Sequence, residues 1–243
     1  MRALLDSLEF KVKSEKYFLG KLVELAGLVG LVLLVSLSLA SCSETSSEWD
    51  PYYSWESRNA LWFEQVTDSA RTAISAAKAR YGENWEAHCP WRMFKSLQRS
   101  ADIPGATTDS IVCKIVRKGE GTKQINYSDY VLIHYRGWLM PSEYITTDNV
   151  TKETKMVVFD QSYYGEFNPA TAVPKQMYVG GCIEGFQTVL QYMVEGDQWY
   201  VYIPHELAYG KESYGEVPAY STLRFLMNVV GVYEDLDDLP DWK

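Results

Sequence analysis

Apolar residues fall at Trp55, Trp62, Phe63, Val66, Ala70, Ala73, Ile74, Ala77 and Tyr81. Steps of three and four predict one amphipathic helix over 54–81, about 40 Å long at 1.5 Å per residue. Ser54 suits its N-cap, with Ser57 as the alternative one turn on, and Gly82 ends it. The stripe has two readings, packing on the C-terminal part of the same chain or a homodimer contact. A second cluster, Trp85, Trp91, Met93, Phe94 and Leu97, follows with Pro90 near its start and predicts a shorter helix over 90–100. Pro104-Gly105 then marks a linker, which implies that the remainder folds without the helix.

Past the linker the period changes to two. Residues 110–116 and 129–139 alternate as strands, with Gly119-Glu120-Gly121 as a turn between them. A polar segment from Leu139 to Val157 reads as a loop. The stretch 178–210 organises the rest. Gly180 and Gly181 predict a sharp turn through positive φ. Phe186, Val189, Leu190 and Met193 mark one face of a short helix, and Gly196 supplies its stop. Trp199, Val201 and Ile203 then alternate with Tyr200 and Tyr202 as a strand. A one-faced helix running into a strand is laid across a sheet, so the fold class is α+β.

The first 41 residues have the character of a targeting segment. Arg2, Lys11, Lys13, Lys16 and Lys21 supply positive charge ahead of an apolar run over 26–40, too short for a full membrane span. The long basic lead suggests a start codon downstream of Met1. The run closes Leu39-Ala40-Ser41-Cys42, which resembles the lipobox of bacterial lipoproteins. That resemblance implies lipidation of Cys42 and a lipid anchor in a Gram-negative envelope, at the outer membrane. The domain reading is therefore 1–41 signal peptide, 42–53 lipidated cysteine and polar tether, 54–104 helical segment, and 105–243 sheet domain. The formal net charge of −9 argues against a nucleic-acid partner. Of the four cysteines, Cys89, Cys113 and Cys182 remain after Cys42, an odd number that leaves at least one unpaired. His88, His134 and His205 are scattered and read as structural; metal-ligand spacing and phosphate loops are lacking.

A family resemblance carries the function. Val131-x-Ile133-His134-Tyr135-x-Gly137-x-Leu139 and Phe159-Asp160-x-Ser162 come first. Ile183-x-Gly185-Phe186, Ile203-Pro204, Leu207-Ala208-Tyr209-Gly210, Val217-Pro218 and Thr222-Leu223-x-Phe225 follow. In this order and spacing the motifs resemble FKBP-type peptidyl-prolyl isomerases over residues 111–234. The resemblance implies an FKBP-like antiparallel sheet wrapped on one short helix. It implies a pocket in which Tyr135 is an aromatic wall, Phe159 touches the proline ring and Asp160 is the neighbouring carboxylate. Cys182 and Ile183 stand at a paired position, with the Ile183 amide as a donor. Phe186 is the floor, Tyr209 donates to the substrate carbonyl, Phe225 is the last-strand aromatic, and Val217 contacts substrate.

Three departures stand out. The floor is usually Trp, and here it is Phe186. The position of Cys182 is usually Val. The second wall aromatic is expected near Ala172 or Val173, and neither is aromatic. The family closes the gap between Leu139 and Val157 with a short turn, so the polar segment here holds an insertion of about a dozen residues, which loop entropy tolerates. The implied activity is isomerisation of X–Pro bonds in unfolded or nascent envelope proteins, with no cofactor and no metal. The alternative is an FKBP-like binding or chaperone module without turnover.

If the lipobox reading holds, Cys42→Ala should release the protein from the membrane fraction or stall its processing. Retention on membranes at the processed mass would count against it.

Overall fold

The computed structural model describes residues 50–100, 105–145, 151–169 and 171–240. The signal segment, Cys42 and most of the tether lie outside the described residues, as does Pro104. Among the described residues no helix is long and apolar enough to cross a membrane.

Helix α1 spans Trp55–Tyr81, as its periodicity requires, and Gly82 at φ 57° ends it with its amide on the Lys78 carbonyl. Ser54 stands at the N-cap in left-handed conformation, and its hydroxyl makes no cap hydrogen bond. Ser57 instead turns its hydroxyl back to the Ser54 carbonyl. The buried stripe of α1 includes two polar residues that an apolar count passes over, Asn59 and Thr67.

The segment expected as a second helix is a strand. Strand β1, Trp91–Lys95, pairs antiparallel with β2, Ser110–Arg117. Its clustered aromatics serve a two-sided strand, with Met93 opposite Val112, and not a helix face. The sheet therefore begins upstream of the boundary drawn at 104/105. Strand β3 is Tyr130–Trp138. The insertion folds into a hairpin of its own, β4 Ser142–Ile145 with β5 Lys152–Lys155. Next come β6 Val158–Gln161 and β7 Lys175–Tyr178. Helix α2, Glu184–Leu190, leads to β8 Gln198–Ile203 and β9 Leu223–Tyr233. The main sheet has seven strands in the order β1-β2-β8-β9-β3-β6, and β7 also pairs with β3.

Each face of this sheet carries a helix. On one face the α2 residues Phe186, Val189 and Leu190, with Met193, pack on Val201, Ile203, Phe225 and Met227 in one buried core. Close approach needs Gly185, because a Cβ there would stand 2.4 Å from Ile203. On the other face α1 covers β1, β2 and β8. Phe63 and Ala70 bury Val112, with Trp91, Met93 and Tyr202 around them. Trp62 meets Tyr202 edge-on at 5.8 Å. The strict alternation of β8 thus separates two cores, Trp199, Val201 and Ile203 for α2 and Tyr202 for α1.

Polar contacts fix α1 more firmly. The Thr222 amide donates to Asn59 Oδ1 at 2.8 Å, and Trp55 Nε1 donates to Ser221 Oγ at 2.9 Å, both in buried surroundings. The Ser221 hydroxyl passes its own proton to the Pro218 carbonyl. These contacts favour the reading in which α1 packs on its own chain, and they oppose independent folding of the sheet. A chain begun at Thr107 would lose α1 and β1 together; it is expected to bind hydrophobic dye and to melt without a sharp transition. Asn59→Ala leaves a buried amide unpaired, which costs about 1–3 kcal/mol. The melting temperature should then fall by about 2–4 °C per kcal/mol. An unchanged melting temperature for Asn59→Ala would show that α1 is an appendage.

Candidate active site

Strand β3 supplies the back of a cavity of about 490 Å³. Tyr135, Asp160, Cys182, Ile183, Phe186, Tyr209 and Phe225, all singled out from sequence, line it together. Phe186 from α2 and Phe225 from β9 meet edge to face at 5.2 Å, and the Tyr135 ring stands 6.1 Å from Phe186. All three are buried. Offset and edge-on aromatic contacts of this kind contribute beyond their buried area.

Two expected residues fall elsewhere. Phe159 is absent from the cavity lining and packs edge-on to Phe225 at 5.5 Å. The register explains this: Gly137 lies opposite both Asp160 and Phe225, and the Phe159 and Phe225 rings share the space its missing side chain leaves. A Cβ on Gly137 would come within 2.8 Å of either ring. Val217 is buried in the core and braces the loop instead of lining the cavity. It exchanges two backbone hydrogen bonds with Tyr214, both 2.9 Å.

The polar part of the site is a relay on one tyrosine. Lys175 Nζ donates to the Tyr135 hydroxyl at 2.8 Å. That hydroxyl donates onward to Asp160 Oδ2, also at 2.8 Å. The ammonium occupies the acceptor side of the oxygen, so the single phenolic proton is directed to the carboxylate. Burial, then the bond to Asp160, holds the Tyr135 phenol far above its ordinary value, so it stays neutral. Tyr209 is also raised, mainly by burial and then by Tyr214 and Asp160. Both therefore remain hydrogen-bond donors at neutral pH. Ile183 stands just before α2 with φ −62° and ψ 151°, where backbone amides have no intrahelical acceptor.

The sequence reading passed over part of the wall. Ala172 and Val173 do not line the cavity; Met177, Tyr178 and Tyr214 do. Tyr214 lies flat on Tyr209 at 4.5 Å and 7°. Its signal was an aromatic in a loop of small and polar residues, five positions after Tyr209. Gly180 and Gly181 do not take positive φ. They form a tight turn with Val179, and Gly180 is needed for space: a Cβ would meet the Tyr127 and Tyr178 rings at 2.8 Å.

A larger recess, about 630 Å³, lies between residues 117–123 and Glu195-Gly196. Its lining is charged side chains, threonine and glycine, with no aromatic wall. Among the described residues no group of His, Cys, Asp and Glu could hold a metal ion. His88 stacks on Tyr81 and His205 pairs with Glu206, both away from the cavity. Cys89, Cys113 and Cys182 are free thiols.

Residues 121–230 match the FKBP-type peptidyl-prolyl cis-trans isomerase family. The matched segment spans β3 to most of β9 and holds every residue lining the cavity. The FKBP-type 22 kDa peptidyl-prolyl cis-trans isomerase of Escherichia coli (strain K12) is 29% identical over 141 residues, 57% of this chain and 58% of that protein. The macrophage infectivity potentiator of Trypanosoma cruzi is 29% identical over 139 residues, 56% of this chain and 61% of its own. The alignments thus span less than two thirds of these relatives. Among solved structures, a peptidyl-prolyl cis-trans isomerase from Pseudomonas syringae pv. tomato str. DC3000 aligns at TM-score 0.40 and 21% identity, covering 70% of this chain and 95% of that one. The three FKBP domains of wheat FKBP73 align at 0.41 and 21%, covering 59% and 52%.

Burial pushes the Cys182 thiol up to about 11, against a smaller downward pull from the Lys175 ammonium. At pH 8 only about one thiol in a thousand is then the reactive thiolate. Alkylation at Cys182, followed by mass spectrometry, should be slow at pH 8 and rise about tenfold per pH unit toward 10. Fast alkylation at pH 7 would mean an open, polar pocket.

Proposed function

We propose that the chain is a peptidyl-prolyl cis-trans isomerase of FKBP type, acting on unfolded or nascent proteins of a bacterial envelope. An X–Pro bond exchanges in tens to hundreds of seconds unaided, because its partial double bond must twist. The twisted amide has lost resonance and is less polar than the planar one. An apolar cavity therefore binds it better than water does, and selective binding of the transition state is catalysis. The observation that carries the reading is the Phe186–Phe225–Tyr135 aromatic enclosure with neutral donors at its mouth. No proton moves in the reaction, so the carboxylate of Asp160 acts through shape and through Tyr135, not as a base.

Tyr209 is the group we assign to the substrate carbonyl, with the Ile183 amide as a second donor. Phe159 supports Phe225 from outside the lining. The lipobox-like Leu39-Ala40-Ser41-Cys42 supports attachment to the outer membrane through lipid, with residues 43–53 as tether. A second reading, a binding module without turnover, is favoured by the smaller Phe186 floor and by a lysine, Lys175, beside the wall.

The test is a protease-coupled prolyl-peptide assay on the full chain. Faster isomerisation than the uncatalysed rate is expected. Tyr209→Phe removes one neutral hydrogen bond, a net contribution of about 0.5–1.5 kcal/mol, and should cut kcat/KM by about an order of magnitude at most. Because burial raises the Tyr209 phenol, its donor form persists beyond the ordinary value of about 10. The rate should be flat from about pH 6 to 9. A fall across that range would indicate a titrating catalytic group. No acceleration, together with suppressed aggregation of an unfolded client, would establish the binding module instead.

A further inference from the structure

Among the described residues, Lys175 is the cation that joins the polar relay of the cavity, through the Tyr135 hydroxyl and from outside the lining itself. It opens β7, two residues before Met177, so the two share a strand face, and Met177 lines the cavity. The ammonium lies 5.3 Å from the Tyr135 ring centroid and donates to its hydroxyl. That partner is neutral, and none of the ion pairs among the described residues includes Lys175. The side chain is exposed, so its charge faces whatever enters the mouth. Asp160 shares the same Tyr135 oxygen and already accepts its proton as a hydrogen bond. An ammonium has three protons, and the tyrosine uses one.

We propose that Lys175 is a specificity-determining residue that selects prolyl peptides with an acidic side chain next to the proline. This rests on the cavity being a prolyl-peptide site. The strand position matters: a residue flanking a proline held against Tyr135 and Phe186 would lie near the Tyr135 hydroxyl, where the Lys175 ammonium sits. The chain as a whole carries −9 and repels acidic ligands weakly at a distance. Screening limits that field to about 8–10 Å in ordinary salt, whereas the Lys175 contact acts at hydrogen-bond range. An exposed pair of this kind gives a modest effect, about two- to fivefold in affinity.

The experiment uses the full chain and short peptides read by NMR titration. One arm carries Glu immediately before the proline and the other Glu immediately after it; each is compared with its Gln twin. The Glu peptide should bind about two- to fivefold tighter than its twin in at least one arm. The ratio should approach one in about 1 M salt and in Lys175→Met, and should invert in Lys175→Glu. Comparing twins on the same protein cancels any general damage a variant does to the pocket. Equal affinity of both twins in both arms overturns the assignment, as does a preference that survives in folded Lys175→Met. Isomerisation of the same peptides is measured separately. Selective binding without turnover supports the Lys175 assignment and defeats the isomerase reading. Failure of every peptide to bind defeats both.

Discussion

The site depends on one missing side chain. Gly137 sits in the middle of β3, opposite Asp160 on one neighbour and Phe225 on the other. Phe159 and Phe225 fold their rings over it, edge to face. Phe225 then meets Phe186 on α2, a helix that Gly185 lets lie close on Ile203. Any Cβ at 137 would stand inside contact distance of both rings. Buried interiors relax little around such an intrusion. The rings would have to move outward, and the cavity they enclose would change shape. The apolar character of the pocket is thus set by backbone spacing as much as by which aromatics are present.

The second dependency runs from the N-terminal helix to the loop that carries Tyr209. That loop has no strand partner beyond a single bridge, Tyr214 with Val217. It is held by cross-bracing: Tyr220 to Gly210, Ala219 to Ser213, Ser221 to Pro218. Its far end is pinned to α1 by Trp55 and Asn59. Arg58 and Ser142 bond one another, and each bonds the Pro51 carbonyl, which brings the start of α1 to the inserted hairpin. The helix is therefore structural support for the mouth of the cavity.

Three strands of the main sheet, β2, β3 and β8, were legible because they obey period two and glycine marks turns beside them. Strand β8 is the clearest case: Trp199, Val201 and Ile203 pack with α2, as alternation alone demands. Strand β1 was not legible. Trp91, Met93 and Phe94 follow a proline after a helix, and their spacing fits a helical face about as well as a strand packed on both sides; only pairing with β2 decides it. Asn59 was passed over for a related reason. Its value is a hydrogen bond to an amide 163 residues away, which local periodicity cannot register. In the cavity, short motifs brought seven residues together, yet they could not show that Phe159 packs on Phe225 outside the lining. That depends on the register of β6 against β3, which shifts between Gly137 and Trp138.

A lysine beside a site proposed to work by being apolar creates a conflict, and the geometry limits it. A charge in the enclosure itself would favour the planar, more polar amide and slow the twist. Lys175 avoids this because its ammonium stays at the exposed rim, on the hydroxyl of Tyr135, while the Tyr135 ring and Phe186 face the interior. The hydroxyl passes the influence of the cation on to Asp160 as a hydrogen bond of fixed direction. On the proposed reading, charge would act on the flanks of a bound peptide and low polarity on its proline, with one tyrosine as the boundary between them.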